Sequence, residues 1–256
     1  GQYLTTYRWD TYLLRYSKTA DLDVNDKPAT IPTDIAMSYD GSRLVVTYDN
    51  GLKVNTYKWV NEADQYVKTN DIPYLDTING SPKKIALSSD GHKLVIGDDS
   101  SIKLSTFVWS DSLNSFEFSP DINLGDIPDG LIIDMDMSDD GTKLIVLTNS
   151  GDKLYSYSWD GVKYTKDNRY DVSFIVNPST CSISSDGKFL NIGLFGDTNL
   201  CTYVWNEENN RYQKTFLQDI NPEVVVSLSS ALSGKLLATV DYSDQKLTLY
   251  RQNTSS

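Results

Sequence analysis

Two aspartates hold equivalent places in a repeating pattern. Asp34 and Asp134 each stand four residues ahead of the serine in a Ser-x-Asp-Gly turn, at 38–41 and 138–141. Lys84 and Thr180 fill the same place before two further turns, and Glu223 lies near it before a fifth, degenerate one at 230–234. Carboxylates in such a pair could serve as general acid and base. Catalysis needs an asymmetric set with tuned environments, and no further acid completes an evident triad, so no catalytic residue is expected. The single histidine, His92, directly follows a turn glycine where other copies have Ser42, Thr142, Lys188 and Lys235. That is the position of a solvent-exposed turn residue. It leaves no basis for serine–histidine catalysis, and one histidine cannot form a histidine metal cluster.

Acidic loops supply the other candidate chemistry. Asp49 with Asn50, Asp98 with Asp99, Asn149 with Asp152, Asp197, and Asp241 with Asp244 are all expected on one rim. Ca²⁺ is the cofactor such groups would take, but a hard cation wants about six to eight oxygens and two acids per turn do not make a cage. Turn geometry alone favours Asp, Asn and Gly at these places. No cofactor is therefore expected, with Asp49, Asp98, Asp99, Asp197 and Asp241 as the weak Ca²⁺ candidates.

The elements that must position these groups come in copies. Each turn glycine is followed sixteen residues later by an aromatic: Tyr57, Phe107, Tyr157, Tyr203 and Tyr250. Leucine stands three residues after each (Leu44, Leu94, Leu144, Leu190, Leu237), and thirteen after lies Val54, Leu104, Leu154, Leu200 or Leu247. Within one copy, DIAMSYDG alternates as a first strand and closes a hairpin at Asp40-Gly41, where glycine supplies the positive φ. RLVVTY is continuously apolar at its centre, as in a strand buried on both faces. KVNTYKW is a third strand, with Asn55, Tyr57 and Trp59 on one face, and a fourth follows near Tyr66. Four short antiparallel strands per repeat of 46 to 50 residues predict an all-β chain folded as a β-propeller.

Five innermost strands, near residues 35, 85, 135, 181 and 226, predict five blades, or six or seven if the chain is part of a longer one. The whole of 1–256 is expected as a single domain. Residues 34–83, 84–130, 131–178 and 179–223 would be complete blades and 224–256 the remainder of a hybrid one. Residues 1–33 would supply its closing strands and a connector, so that the N- and C-terminal strands close the ring and remove an exposed edge. One third-strand copy is then surplus, either 3–9 or 246–252. Trp59, Trp109, Trp159 and Trp205 recur two residues beyond the third-strand aromatic, with Trp9 in the N-terminal copy and Gln252 in the last. Buried faces packed blade on blade account for them. Cys181 and Cys201 fall on first and third strands of one blade, roughly 9–10 Å apart and too far for a disulfide, so two free thiols are expected.

The net charge of −12, from 35 acidic and 23 basic residues, repels a phosphate backbone and excludes nucleic acid as a partner. No apolar run is long enough to span a bilayer, so membrane insertion is not expected, and GQYLTTYRWD lacks the layout of a signal peptide.

The segments IAMSYDGSRLVVT, IALSSDGHKLVIG and CSISSDGKFLNIG resemble the turn-centred repeat of WD-repeat-like and TolB-like propellers. TYKW, FVWS, YSWDG and YVWN, followed by a polar turn and Tyr164-Thr165-Lys166 or Tyr212-Gln213-Lys214, are similar to a repeat of bacteriophage tail and virion proteins. The Gly-His and Trp-Asp signature of true WD repeats is absent. Five-bladed glycosidases resemble the same architecture and place three carboxylates at the starts of inner strands; here Asp34 and Asp134 match two of them. What the phage-like resemblance implies is a non-enzymatic binding or structural module on a virion or extracellular surface, with the cytoplasm also compatible. Its partner would be a host-surface glycan or another virion protein. An intracellular protein-interaction scaffold and a glycoside hydrolase are the alternatives. Binding would fall on the variable connectors between blades, through Tyr74, Asp76, Asn79, Asp126, Asp129, Phe174, Asn177 and Asn221.

Overall fold

A computed structural model of the chain describes residues 4–20, 22, 31–48, 54–69, 72, 82–98, 104–119, 127–150, 154–167, 177–194, 200–215, 225–231, 236–241 and 246–251. It is an all-β, five-bladed propeller of antiparallel sheets. The first blade runs β3 (Pro32–Met37), β4 (Arg43–Tyr48), β5 (Asn55–Val60) and β6 (Gln65–Lys68), numbered after an N-terminal hairpin of β1 (Tyr7–Asp10) and β2 (Arg15–Lys18). The second runs β7 (Pro82–Leu87), β8 (Lys93–Asp98), β9 (Leu104–Ser110) and β10 (Ser115–Phe118). The third holds β11 (Ile132–Met137), β12 (Lys143–Thr148), β13 (Leu154–Trp159) and β14 (Tyr164–Lys166). The fourth holds β15 (Pro178–Ile183), β16 (Phe189–Leu194), β17 (Cys201–Asn206) and β18 (Arg211–Lys214), and the fifth β19 (Val225–Ala231), β20 (Leu236–Asp241) and β21 (Lys246–Arg251).

The Ser-x-Asp-Gly motif is a closed hydrogen-bond circuit. Ser38 Oγ donates to Asp40 Oδ1 at 2.7 Å and accepts the Arg43 N–H at 2.9 Å, while the Ser42 N–H donates to the same carboxylate oxygen at 2.9 Å. Gly41 sits at φ 69°, where a Cβ would be strained. Serines 88, 138 and 184 make the same bonds to Asp90, Asp140 and Asp186. Burial of the Asp140 carboxyl works against its ionisation, but donation from the Thr142 N–H and hydroxyl and the Ser138 hydroxyl holds it below the usual carboxylate range. The tyrosine of the fourth strand ties this turn down: Tyr66, Tyr164 and Tyr212 donate their hydroxyls to the carbonyls of Gly41, Gly141 and Gly187.

Inner strands obey a directional rule. Alternate residues face opposite ways, so Lys84 and Ala86 look forward to the third blade while Ile85 and Leu87 pack back against the first. The same alternation gives Asp134/Asp136 forward and Met135/Met137 back. Ile85 is 5% exposed between two blades, whereas its first-blade counterpart Ile35 is 54% exposed and Met37 58%. Ile85→Ala should therefore cost about 2–4 kcal/mol in chemical denaturation, and Ile35→Ala under about 1 kcal/mol. Equal losses at the two positions would show that a layer covers Ile35 in solution.

Blades also join through cations. Arg43 lies 4.4 Å from the Trp109 ring centroid in the next blade, Lys93 5.6 Å from Trp159, and Lys143 3.3 Å from Trp205. Each of these tryptophans packs edge-on against the aromatic of its own fourth strand, Phe116, Tyr164 or Tyr212. The repeat loses both halves of this pair together, since the fourth blade has Phe189 at the cation position and the last copy has Gln252 at the tryptophan.

The hybrid last blade differs from expectation. Among the described residues β1 and β2 pair only with each other, and β19–β20–β21 is a three-stranded sheet. The hairpin instead docks on the first blade: Arg8 pairs with Asp64 at 2.7 Å, the Ala20 N–H donates to the Asp64 carbonyl, and Leu4 and Leu22 join Leu44, Val46 and Tyr57. The surplus third strand is thus accommodated, because residues 7–10 and 246–251 belong to separate sheets. The cysteines lie as expected: Cys181 and Cys201 pair with the same residue, Ile192, from opposite sides, and both are free and buried.

Candidate functional site in the axial cavity

All five inner strands line one cavity of about 520 Å³. Each of these strands carries a β-bulge, at register shifts between 32 and 34, 82 and 84, 132 and 134, 178 and 180, and 225 and 227. An extra residue there re-aims the side chain that follows it. In four blades that side chain is Asp34, Lys84, Asp134 or Thr180, so the repeat-equivalent set singled out by spacing converges on the cavity.

A relay of bonds crosses from blade to blade. Asp34 Oδ2 accepts the Ile85 N–H at 2.9 Å, and its Oδ1 accepts the Ile35 N–H at 3.0 Å. Lys84 Nζ lies 3.6 Å from Asp134 Oδ1, while Asp134 Oδ2 accepts the Cys181 N–H at 2.9 Å and the Thr180 hydroxyl at 2.8 Å. Asp136 takes the Met137 N–H on Oδ1 and the Ile183 N–H on Oδ2, both at 2.8 Å. Ser182 and Ser230 share a hydroxyl bond at 2.9 Å on the far side. A backbone belt runs parallel: the N–H groups of Tyr39, Ser89 and Asp139 donate to the carbonyls of Ser89, Asp139 and Ser185 in turn.

The electrostatics are uneven. Burial pushes Asp136 up to about 7; the Ile183 and Met137 N–H groups and the Ser182 hydroxyl oppose the rise, and the neighbouring Asp134 adds to it. Burial likewise raises Asp34, against the Ile85 N–H and Lys84. The Cys181 thiol is driven well up by burial and by Asp134 and Asp136, so it is not a thiolate nucleophile. The cavity therefore holds a carboxyl poised to exchange a proton near neutrality beside an ion pair, the arrangement of general acid–base chemistry.

Asp136 is the group that spacing arguments overlooked. Its signal is a departure from the repeat: the corresponding residues are Ala36, Ala86, Ser182 and Ser229. Of the connector residues, Tyr74, Asp76, Asn79, Asp126, Phe174 and Asn221 lie outside the described residues, as does Glu223. Asp129 is exposed with its N–H bonded to the Tyr155 hydroxyl, and Asn177 is exposed at φ 48°; neither lines the cavity. Asp49, Asp99 and Asp197 also lie outside the described residues, Asp98 is fully buried at the end of β8, and Asp241 ends β20 opposite Lys246. Among the described residues no three His, Cys, Asp or Glu gather as metal ligands. His92 is a half-exposed turn residue bonded to Asp90.

No family model matches the chain, and no curated protein matches it in sequence. Solved structures do resemble it in fold. A provisionally assigned 6-phosphogluconolactonase from Bacteroides uniformis superposes with a TM-score of 0.73 over 98% of this chain and 74% of that one, at 14% identity. A periplasmic gluconolactonase from Pseudomonas aeruginosa gives 0.62 over 96% and 77%, at 16% identity. The Cps50 (Swd1) β-propeller domain of Myceliophteria thermophila gives 0.66 over 98% and 78%, at 10% identity. At these identities the likeness establishes the fold. It also corrects the expectation of a non-enzymatic phage module binding a host glycan: the similar structures include proteins named as a 6-phosphogluconolactonase and a gluconolactonase, and nothing in them points to phage tails. In this chain the repeat motif that suggested a virion protein serves blade packing: its tryptophans stack edge-on against the fourth-strand aromatics.

Proposed function

We propose that the chain is a hydrolase that opens a sugar lactone in the axial cavity. The observation that carries this reading is Asp136, a carboxyl held near neutrality on the cavity wall of a fold shared with proteins named gluconolactonases. Ionised Asp136 takes a proton from a water as that water attacks the lactone carbonyl carbon. The ring C–O bond then breaks, and the departing alkoxide recovers the proton from Asp136, leaving a hydroxy acid. Lys84, the one cation lining the cavity among the described residues, is the group available to the developing oxyanion. Asp134 orients Lys84 through their ion pair. The glycoside-hydrolase alternative has only Asp34 and Asp134 at its carboxylate positions, with Lys84 and Thr180 at the others. The test is acid release from gluconolactone, followed with a pH indicator and corrected for spontaneous opening. Catalysed release abolished by Asp136→Asn supports the reading, and a rate equal to the uncatalysed one overturns it.

A further inference from the structure

Resting on that reading, we infer that the axial cavity selects uncharged lactones and rejects those that carry a phosphate. Two independent features of the wall point this way. The first is its charge, to which Asp136 adds when ionised. Asp34, Asp134, Asp136 and Asp139 line it against Lys84 alone among the described residues, and Lys84 already lies 3.6 Å from Asp134. The second is the state of its backbone donors. Phosphate sites in proteins are built from N–H groups free to point at the anion. Here the Ile85, Cys181 and Ile183 N–H groups are taken by the carboxylates of Asp34, Asp134 and Asp136, and those of Tyr39, Ser89 and Asp139 by neighbouring carbonyls. The protein's own carboxylates stand where a phosphate would bind.

What the cavity offers instead is neutral. Thr180 and Ser182 on the fourth blade and Ser229 and Ser230 on the fifth line it with hydroxyls that can exchange bonds with a polyol. The same field favours turnover, because ring opening converts a neutral substrate into a carboxylate, which the surrounding aspartates repel. An uncharged ligand enters and an anion is driven out.

The experiment compares kcat/KM for gluconolactone and 6-phosphogluconolactone on the intact chain, at low and at high ionic strength. One like charge at contact range in a partly screened site is worth on the order of 100-fold, so gluconolactone should be preferred by about that factor or more. Added salt should narrow the gap by raising the rate with the phosphorylated lactone alone. Asp34→Asn, which removes one wall charge, should narrow it further; if that variant does not fold, the salt series on the wild type decides. Equal or faster hydrolysis of the phosphorylated lactone, or a ratio indifferent to salt, overturns the inference and leaves the lactonase reading standing. Inertness toward both lactones overturns the reading itself, and the inference with it.

Discussion

Replacing Asp136 with asparagine should slow lactone opening at least about 100-fold while removing most of the fall in stability that the wild type shows as pH rises from acid to neutral. The two effects share one cause. Asp136 has its folded pKa raised from the ordinary 3.8 to about 7, chiefly by burial. Below the unfolded value both states hold the proton and the group contributes nothing to pH dependence. Between the two values the folded chain keeps a proton that the unfolded chain releases, so raising pH costs at most about 1.4 kcal/mol per unit. Above the folded value the full cost is present, and so is the ionised base that catalysis requires. Activity should thus climb with pH as stability falls, both through the neutral range. Asparagine cannot ionise, which flattens both curves. Denaturant titrations across the pH range, paired with kcat/KM, check the pair. An Asp136→Asn variant that keeps its rate would show that the carboxyl has no part in the reaction, and one whose stability retains the wild-type slope would show that folding does not raise its proton affinity.

The propeller and its wedges were legible in the chain because blade architecture repeats, and a repeat multiplies weak signals. Leu44, Leu94, Leu144 and Leu190 are fully or almost fully buried in the second strands, and the glycines of the Ser-x-Asp-Gly turns have positive φ where expected. Cys181 and Cys201 fell a strand apart by register alone. The candidate site was half legible. Asp34, Lys84, Asp134 and Thr180 shared one repeat position, but their convergence depends on the bulges that precede them, and a bulge belongs to a strand pair rather than to a stretch of sequence. Asp136 was visible as an aspartate among Ala36, Ala86, Ser182 and Ser229; its significance came only from burial beside Asp134, a property of two blades meeting. The pairing of the N-terminal hairpin was not legible for a related reason. Third- and fourth-strand motifs identify a blade's outer half without saying which neighbour it packs on, and Leu4 and Leu22 settle that by joining the cluster around Tyr57.

The largest stability effect is expected from Lys143→Met. The third blade departs from its neighbours at Asp167, whose counterparts are Thr69, Ser119 and Thr215. That carboxylate is almost wholly buried and accepts the hydroxyls of Ser156 and Ser158, each at 2.5 Å. Lys143 is its cation, with Nζ 3.7 Å from Oδ2, 2.6 Å from the Ser158 hydroxyl and 3.3 Å from the Trp205 centroid in the next blade. Burial pulls the Lys143 pKa down, against Asp167 and Glu207, which favour its charged form. Methionine keeps the aliphatic stem and leaves a buried carboxylate uncompensated, a loss of about 3–5 kcal/mol. The analogous Lys93→Met should cost under about 1 kcal/mol, since that ammonium is 5.6 Å from Trp159 and its bond goes to the carbonyl of Asp140 near solvent. Adding Asp167→Asn to Lys143→Met should recover part of the deficit, because both charges are then gone, the amide oxygen still accepts from one serine and the amide nitrogen can donate to the other. Urea titration of the wild type and these three variants measures this directly. A Lys143→Met protein as stable as Lys93→Met, or a double variant no better than the single, would mean that Asp167 is held by its serines alone.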